Sequence, residues 1–157
     1  MCIRDSVVWG PVEEVGIKML ESIQKKFLKF LYYKDFTYYD TSLTYRKLVI
    51  GYEMNELRLR RDLTILKQLY NVVNGECDTP YLLSKINIYV PPRLNRAKRT
   101  LFLPSKARTN ILSKAPLERM MTLYNTLLKE DCEIDIFFNT KKEFERRVMQ
   151  ALVHSYT

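Results

Sequence analysis

Glycine, proline, histidine and paired cysteine are scarce in this 157-residue chain, and each shortage closes off a class of protein. Four glycines and six prolines are too few for the repeated tight turns of a β-sandwich and suit long helices. The three cysteines, Cys2, Cys77 and Cys132, contain no C-x-x-C pair, so no disulfide framework or zinc ribbon is legible, and Cys77 and Cys132 are expected to be free thiols. One histidine, His154, is too few for a Cys/His zinc knuckle. A Cys-His nucleophile would need one of those thiols to meet it across the fold, with no local support. No apolar run reaches the roughly 20 residues that span a bilayer, and no hydrophobic signal segment follows the N-terminus. The chain therefore reads as soluble and intracellular, with no membrane partner. Phosphate loops, dinucleotide fingerprints, nucleophile elbows and H-E-x-x-H are all missing, so no catalytic residue is assigned. The acids of EDCEID, Glu130, Asp131, Glu133 and Asp135, are read as solvated loop carboxylates, and no metal ligand is assigned.

What is present is a core and a charge. With 46% apolar and 12% aromatic residues, the chain is long enough and apolar enough to fold around one hydrophobic core. The formal charge of +8 is concentrated. The 39 residues between Asp78 and Glu118 hold eight basic residues and no acid, whereas the rest of the chain carries 18 of each sign. A solvated basic loop and a phosphate-binding strip both account for that pattern.

Apolar periodicity predicts helices on either side of the basic stretch. Residues 12 to 31 place Val12, Val15, Met19, Ile23, Phe27, Phe30 and Leu31 on one stripe, with Pro11 in the first turn and Glu13 and Glu14 at the positive end of the helix dipole. Lys18, Lys25 and Lys29 share an outer face. NELRLRRDLTILKQLYNVVNG, with Asn55 as N-cap and Gly75 past the C-terminus, repeats Leu59, Leu63, Leu66, Tyr70 and Val73 and is the expected central helix. Arg58, Arg60 and Arg61 crowd its first turns and call for acidic or phosphate partners, intramolecular carboxylates such as Glu53 and Asp62 being the default. Short helices are expected around Leu43 to Val49 and after Thr79. Two longer ones follow, one with the stripe Leu117, Met120, Met121, Tyr124, Leu127 and Leu128, the other with Phe144, Val148, Met149 and Leu152. Between them Pro91, Pro92 and Pro104 force an irregular, extended path on the basic segment.

Taken in order, VVWGP, SIQKKFLKF, LRLRRDLTILKQLYNVVNGECDTPYLL, VPPR, FLPSKARTN, APLERMMTLYN and DIF resemble the region downstream of the polymerase domain in jockey-type non-LTR retrotransposon reverse transcriptases. The resemblance runs from Val7 to about Val148. One departure is Ala115 where the family pattern has serine, which removes an N-cap hydroxyl and leaves Ser113 as a substitute. The resemblance implies a C-terminal piece of an RNA-directed DNA polymerase acting in the nucleus. It also implies that the magnesium-binding aromatic-Ala-Asp-Asp turn belongs to an upstream domain, since no Asp-Asp occurs in this chain. Met1 to Ser6, MCIRDS, back-translates onto a transposon-end adaptor of DNA sequencing libraries, so these residues are expected to be an adaptor-derived scar and the chain from Val7 a fragment of a longer parent. Read otherwise, these six residues are an ordinary polar N-terminus.

The expectation is an all-α domain, residues 7 to 157, forming an irregular bundle of five to seven helices with a long Pro-interrupted basic connection. It would need no cofactor of its own, the parent using magnesium, and would contact the RNA or DNA backbone and the upstream polymerase domain. Lys18, Lys25, Lys29, Arg93, Arg96, Lys98, Arg99, Lys106 and Arg108 are the candidate phosphate contacts. Tyr89 and Phe102 would either stack on unpaired bases or anchor the segment to the core. The alternatives are a purely structural or protein-association module, or a decayed element copy without a selected function.

Overall fold

A computed structural model describes residues 7–8, 10–11, 13–38, 42–90, 100–106, 108–130 and 133–156. The described residues are all-α, with seven helices: α1 (Glu14–Phe36), α2 (Tyr45–Gly51), α3 (Leu57–Val73), α4 (Pro80–Ser84), α5 (Asn110–Ser113), α6 (Pro116–Glu130) and α7 (Lys141–Tyr156). The one extended pairing among them is an isolated antiparallel bridge between Ile88 and Phe102.

Helix α3 is central, as its periodicity requires, and packs against α7, α6, α1 and α4. Its Ile65, Leu66 and Leu69 are sealed from solvent together with Met121, Tyr124 and Leu127 of α6 and Phe144, Val148 and Leu152 of α7. Three connecting residues, Phe102, Ile134 and Ile136, complete this core. The end of α3 follows the sequence: Asn74 caps it, and Gly75 takes the left-handed backbone, φ 71°, that stops a helix without a Cβ clash. The Asn74 side chain then donates to the Ile136 carbonyl at 2.9 Å, tying the helix end to the α6–α7 connection.

The start of α3 differs from expectation. Glu56, not Asn55, is the N-cap, and its side chain makes no capping bond. The capping acceptor comes instead from α1: Glu21 Oε1 accepts from the Arg58 backbone N–H at 2.9 Å, while the Tyr45 hydroxyl donates to the other oxygen of the same carboxylate. An acceptor 37 residues away satisfies an orphan helix donor just as a local one would. Ser113 is no N-cap substitute for α6 either, because it ends α5 and donates its hydroxyl to the Asn110 carbonyl at 2.9 Å.

The largest departure is the orientation of α1. The stripe Val15, Met19, Ile23, Phe27 and Phe30 faces solvent, with Val15 72% and Phe30 61% exposed. The helix buries the opposite side, Gln24 and Leu28, against α2 and α3. Leu28 joins Leu48 and Val49, with Leu31, Tyr32, Tyr45 and Tyr52 around them, in a second and smaller core. Apolar spacing fixes which residues share a face, but not which of two mixed faces the neighbours cover.

Candidate nucleic-acid interface

The basic stretch is held at its ends by the fold. Before it, Tyr89 N–H donates to the Leu101 carbonyl, and beyond it Leu103 N–H donates to the Asn87 carbonyl, both at 2.8 Å. The two flanks therefore lie side by side. Helix α6 grips the returning flank with two side chains seven residues apart, which puts them on one face. Asn125, buried, accepts from the backbone N–H groups of Leu101 and Phe102 at 3.1 Å each and donates to the Phe102 carbonyl at 2.8 Å. Glu118, also buried, accepts from Ser105 N–H at 2.8 Å and from the Ser105 hydroxyl at 2.7 Å. In the first turn of α6 this carboxylate also meets the favourable end of the helix dipole.

Phe102 is thereby excluded from base stacking. It is 1% exposed and packs edge-on against Tyr124, ring centroids 5.2 Å apart. It is the anchor of the segment, the second of its two expected roles. Tyr89 is half-buried on the outgoing flank.

Lys106 and Arg108 are exposed on the path from this clamp to α5. Arg93, Arg96, Lys98 and Arg99 lie outside the described residues, as do Pro91 and Pro92. Lys18, Lys25 and Lys29 fall within an arc of about 40° on α1 at 3.6 residues per turn, with Lys18 and Lys25 exposed and Lys29 half-buried. The candidates thus belong to two elements, α1 and the stretch before α5. An ion pair between Lys114, just after α5, and Glu13, at the start of α1, links those two regions.

The acids of the α6–α7 connection are engaged in structure. Glu133 pairs with Arg147, and Asp135 Oδ1 accepts from the backbone N–H groups of Phe137 and Phe138 at 2.8 and 3.2 Å. Asp131, Cys132 and the Glu130 side chain lie outside the described residues. No cluster of three metal-ligating side chains occurs among the described residues, and none of their helices is long and apolar enough to cross a membrane.

Sequence reasoning did not see one site, a cavity of about 200 Å³ where the start of α1, the first turns of α3 and the first turns of α6 meet. Arg58 and Arg61 line it together with Arg119. The arginine crowding of α3 was visible in the sequence, but Arg119 joins it only through the tertiary fold.

No protein-family model, curated protein or solved structure matches the chain.

Proposed function

We propose that the chain is the non-catalytic C-terminal segment of a non-LTR retrotransposon RNA-directed DNA polymerase, where it holds template RNA or target DNA behind the polymerase site. The observation that carries this reading is the placement of the charge. All of the net +8 arises between Asp78 and Glu118, in a stretch whose two flanks are tied to each other and clamped to α6. A basic segment anchored at both ends on a rigid core loses less entropy on contacting a phosphate backbone than a free tail does. Lysine and arginine there would act by displacing condensed counterions, the source of most sequence-independent affinity for nucleic acid. In the parent protein, the upstream polymerase domain would supply the magnesium-binding carboxylates, and the nucleus would be the place of action.

The test is a salt series with a single-stranded oligonucleotide. Log affinity should fall linearly with log salt, and charge reversal at Arg96, Lys98 and Arg99 should flatten the slope by about one unit per lost contact. An unchanged slope rejects the basic segment as the binding element.

A second reading, a protein-association module, is favoured by the exposed apolar stripe of α1. Contiguous apolar surface of that kind on a folded domain commonly marks a docking face. Under that reading nucleic acid binds only through diffuse charge, and the three reversals leave the slope where it was.

A further inference from the structure

The cavity between α1, α3 and α6 gathers more cationic than anionic side chains among its described lining residues. Arg58, Arg61 and Arg119 contribute three guanidinium groups, against the two carboxylates of Glu14 and Asp62, with Ile17 forming an apolar wall. Arg58 is engaged: its Nη1 lies 3.5 Å from Glu14 Oε1, in a pair whose side chains are 44% and 61% exposed.

Arg61 is different. Both of its terminal nitrogens, Nη1 and Nη2, are buried, and neither has a hydrogen-bond partner among the described residues. Charged donors taken out of water without an acceptor are costly for a fold to hold. Such a group is retained where an anion offsets the cost, and its planar fork of donors matches an oxyanion with two or more oxygens.

We infer that this cavity is an oxyanion site that takes one phosphate group, with Arg61 as its central donor and Arg58 and Arg119 as flanking charges. Phosphate suits it better than carboxylate on two counts. Its charge exceeds one at neutral pH, so one ion can meet more than one guanidinium, and its tetrahedral oxygens can meet three guanidinium groups arriving from two helices, α3 and α6. A phosphodiester of a nucleic-acid backbone presents the same tetrahedral oxygens with a single negative charge, and a free phosphate monoester presents them with the fuller charge. The site is distinct from the basic strip proposed above and stands or falls separately from it.

The experiment titrates the whole chain with inorganic phosphate, following the arginine side-chain N–H signals by NMR, with acetate as the carboxylate control. Phosphate is expected to shift the Arg61 signals saturably, and Arg61→Gln should weaken its binding by about tenfold or more, as loss of a charge-assisted fork implies. Arg119→Gln should weaken it less, and Lys25→Gln not at all. Should Arg61→Gln fail to fold, Arg119→Gln alone still has to weaken phosphate in a protein whose circular dichroism is unchanged.

A short oligonucleotide in competition then separates the sources. Displacement of phosphate from Arg61 identifies a backbone phosphodiester, and phosphate binding without displacement identifies a free monoester. If phosphate leaves the Arg61 signals unmoved, or acetate moves them equally, the inference is overturned. Phosphate binding at Arg61 in a chain that ignores oligonucleotides would sustain this site while refuting the function proposed above.

Discussion

Asn125 shows how a single side chain sets the geometry of the basic segment. Its amide satisfies two backbone N–H groups and one carbonyl on the returning flank, in a place where water does not reach. Asn125→Ala leaves all three unsatisfied and should destabilise the fold by about 3 kcal/mol, read as a lowered urea midpoint at unchanged slope. Asn125→Asp keeps the acceptor but presents a charge to the Phe102 carbonyl, so part of its loss should be recovered as pH falls and the carboxyl protonates. Tyr124 carries a different signature. Burial pushes its phenol well above the ordinary value of 10.0, and the Asp135 carboxylate adds to this while a backbone contact from Ile136 opposes it. Its hydroxyl donates to the Ile134 carbonyl at 3.0 Å. The folded state keeps the proton where the unfolded chain releases it. The stabilisation is therefore fully present below pH 10 and is lost as pH rises from 10 towards the folded value, by up to about 1.4 kcal/mol per pH unit. Urea titrations between pH 9 and 11 should show this slope in the native chain and a shallower one in Tyr124→Phe, with Tyr45, likewise pushed up by burial and by Glu21, adding to the part that persists.

At the scale of elements, α1 separates what periodicity determines from what it leaves open. Phe27 and Leu28 are adjacent, yet one is 53% exposed and the other fully buried. Leu28→Ala should cost about 2–4 kcal/mol, whereas Phe27→Ala should stay within about 0.5 kcal/mol; a reversal of that order, measured by chemical denaturation, would mean the helix is turned the other way. The larger apolar stripe was the plain inference from sequence, and it failed for a physical reason. The face that is buried works partly through polar bonds: Glu21 caps α3 and receives Tyr45, while Gln24 donates to the Asn55 carbonyl at 3.4 Å. Such pairings are invisible to a hydrophobic count. Helices α3, α6 and α7 were legible because each carries a single apolar stripe and no rival face, and Gly75 and Pro116 mark their ends at the residues expected. The site was legible only in part. Charge concentration located the segment, but not its clamps, because Asn125 and Glu118 lie more than a dozen residues from the backbone groups they hold. The meeting of Arg61 with Arg119 across 58 positions of sequence left no local trace.

For the molecule as a whole, the two cores predict a hierarchy of stability. The larger unites α3, α6, α7 and the clamped flank around stacked aromatic rings, with Tyr70 and Tyr124 on Phe144 at 5.0 and 6.4 Å. The smaller rests on three buried side chains where α1 meets α2, together with bonds from Tyr45 to Glu21 and from Tyr52 to Asp35. Opening free energy scales with the apolar contact that must be broken, so α2 and the adjoining half of α1 should open while the larger core stays closed. In native-state hydrogen exchange, the amides of α2 should report an opening free energy at least about 2 kcal/mol below that of the buried middle of α3. Tyr45→Phe removes a bond specific to the smaller core, so it should lower protection in α2 and leave Leu66 and Leu69 unchanged. Identical free energies in both regions would show one cooperative unit instead. The hierarchy also bears on function: Lys25, Lys29, Phe27 and Phe30 of α1 sit on the less stable part, whereas the basic segment is clamped to the more stable one. A partner that docks on α1 would raise protection in α2 first, and one that engages only the basic segment would leave it untouched, so the same exchange measurement distinguishes protein association from nucleic-acid binding.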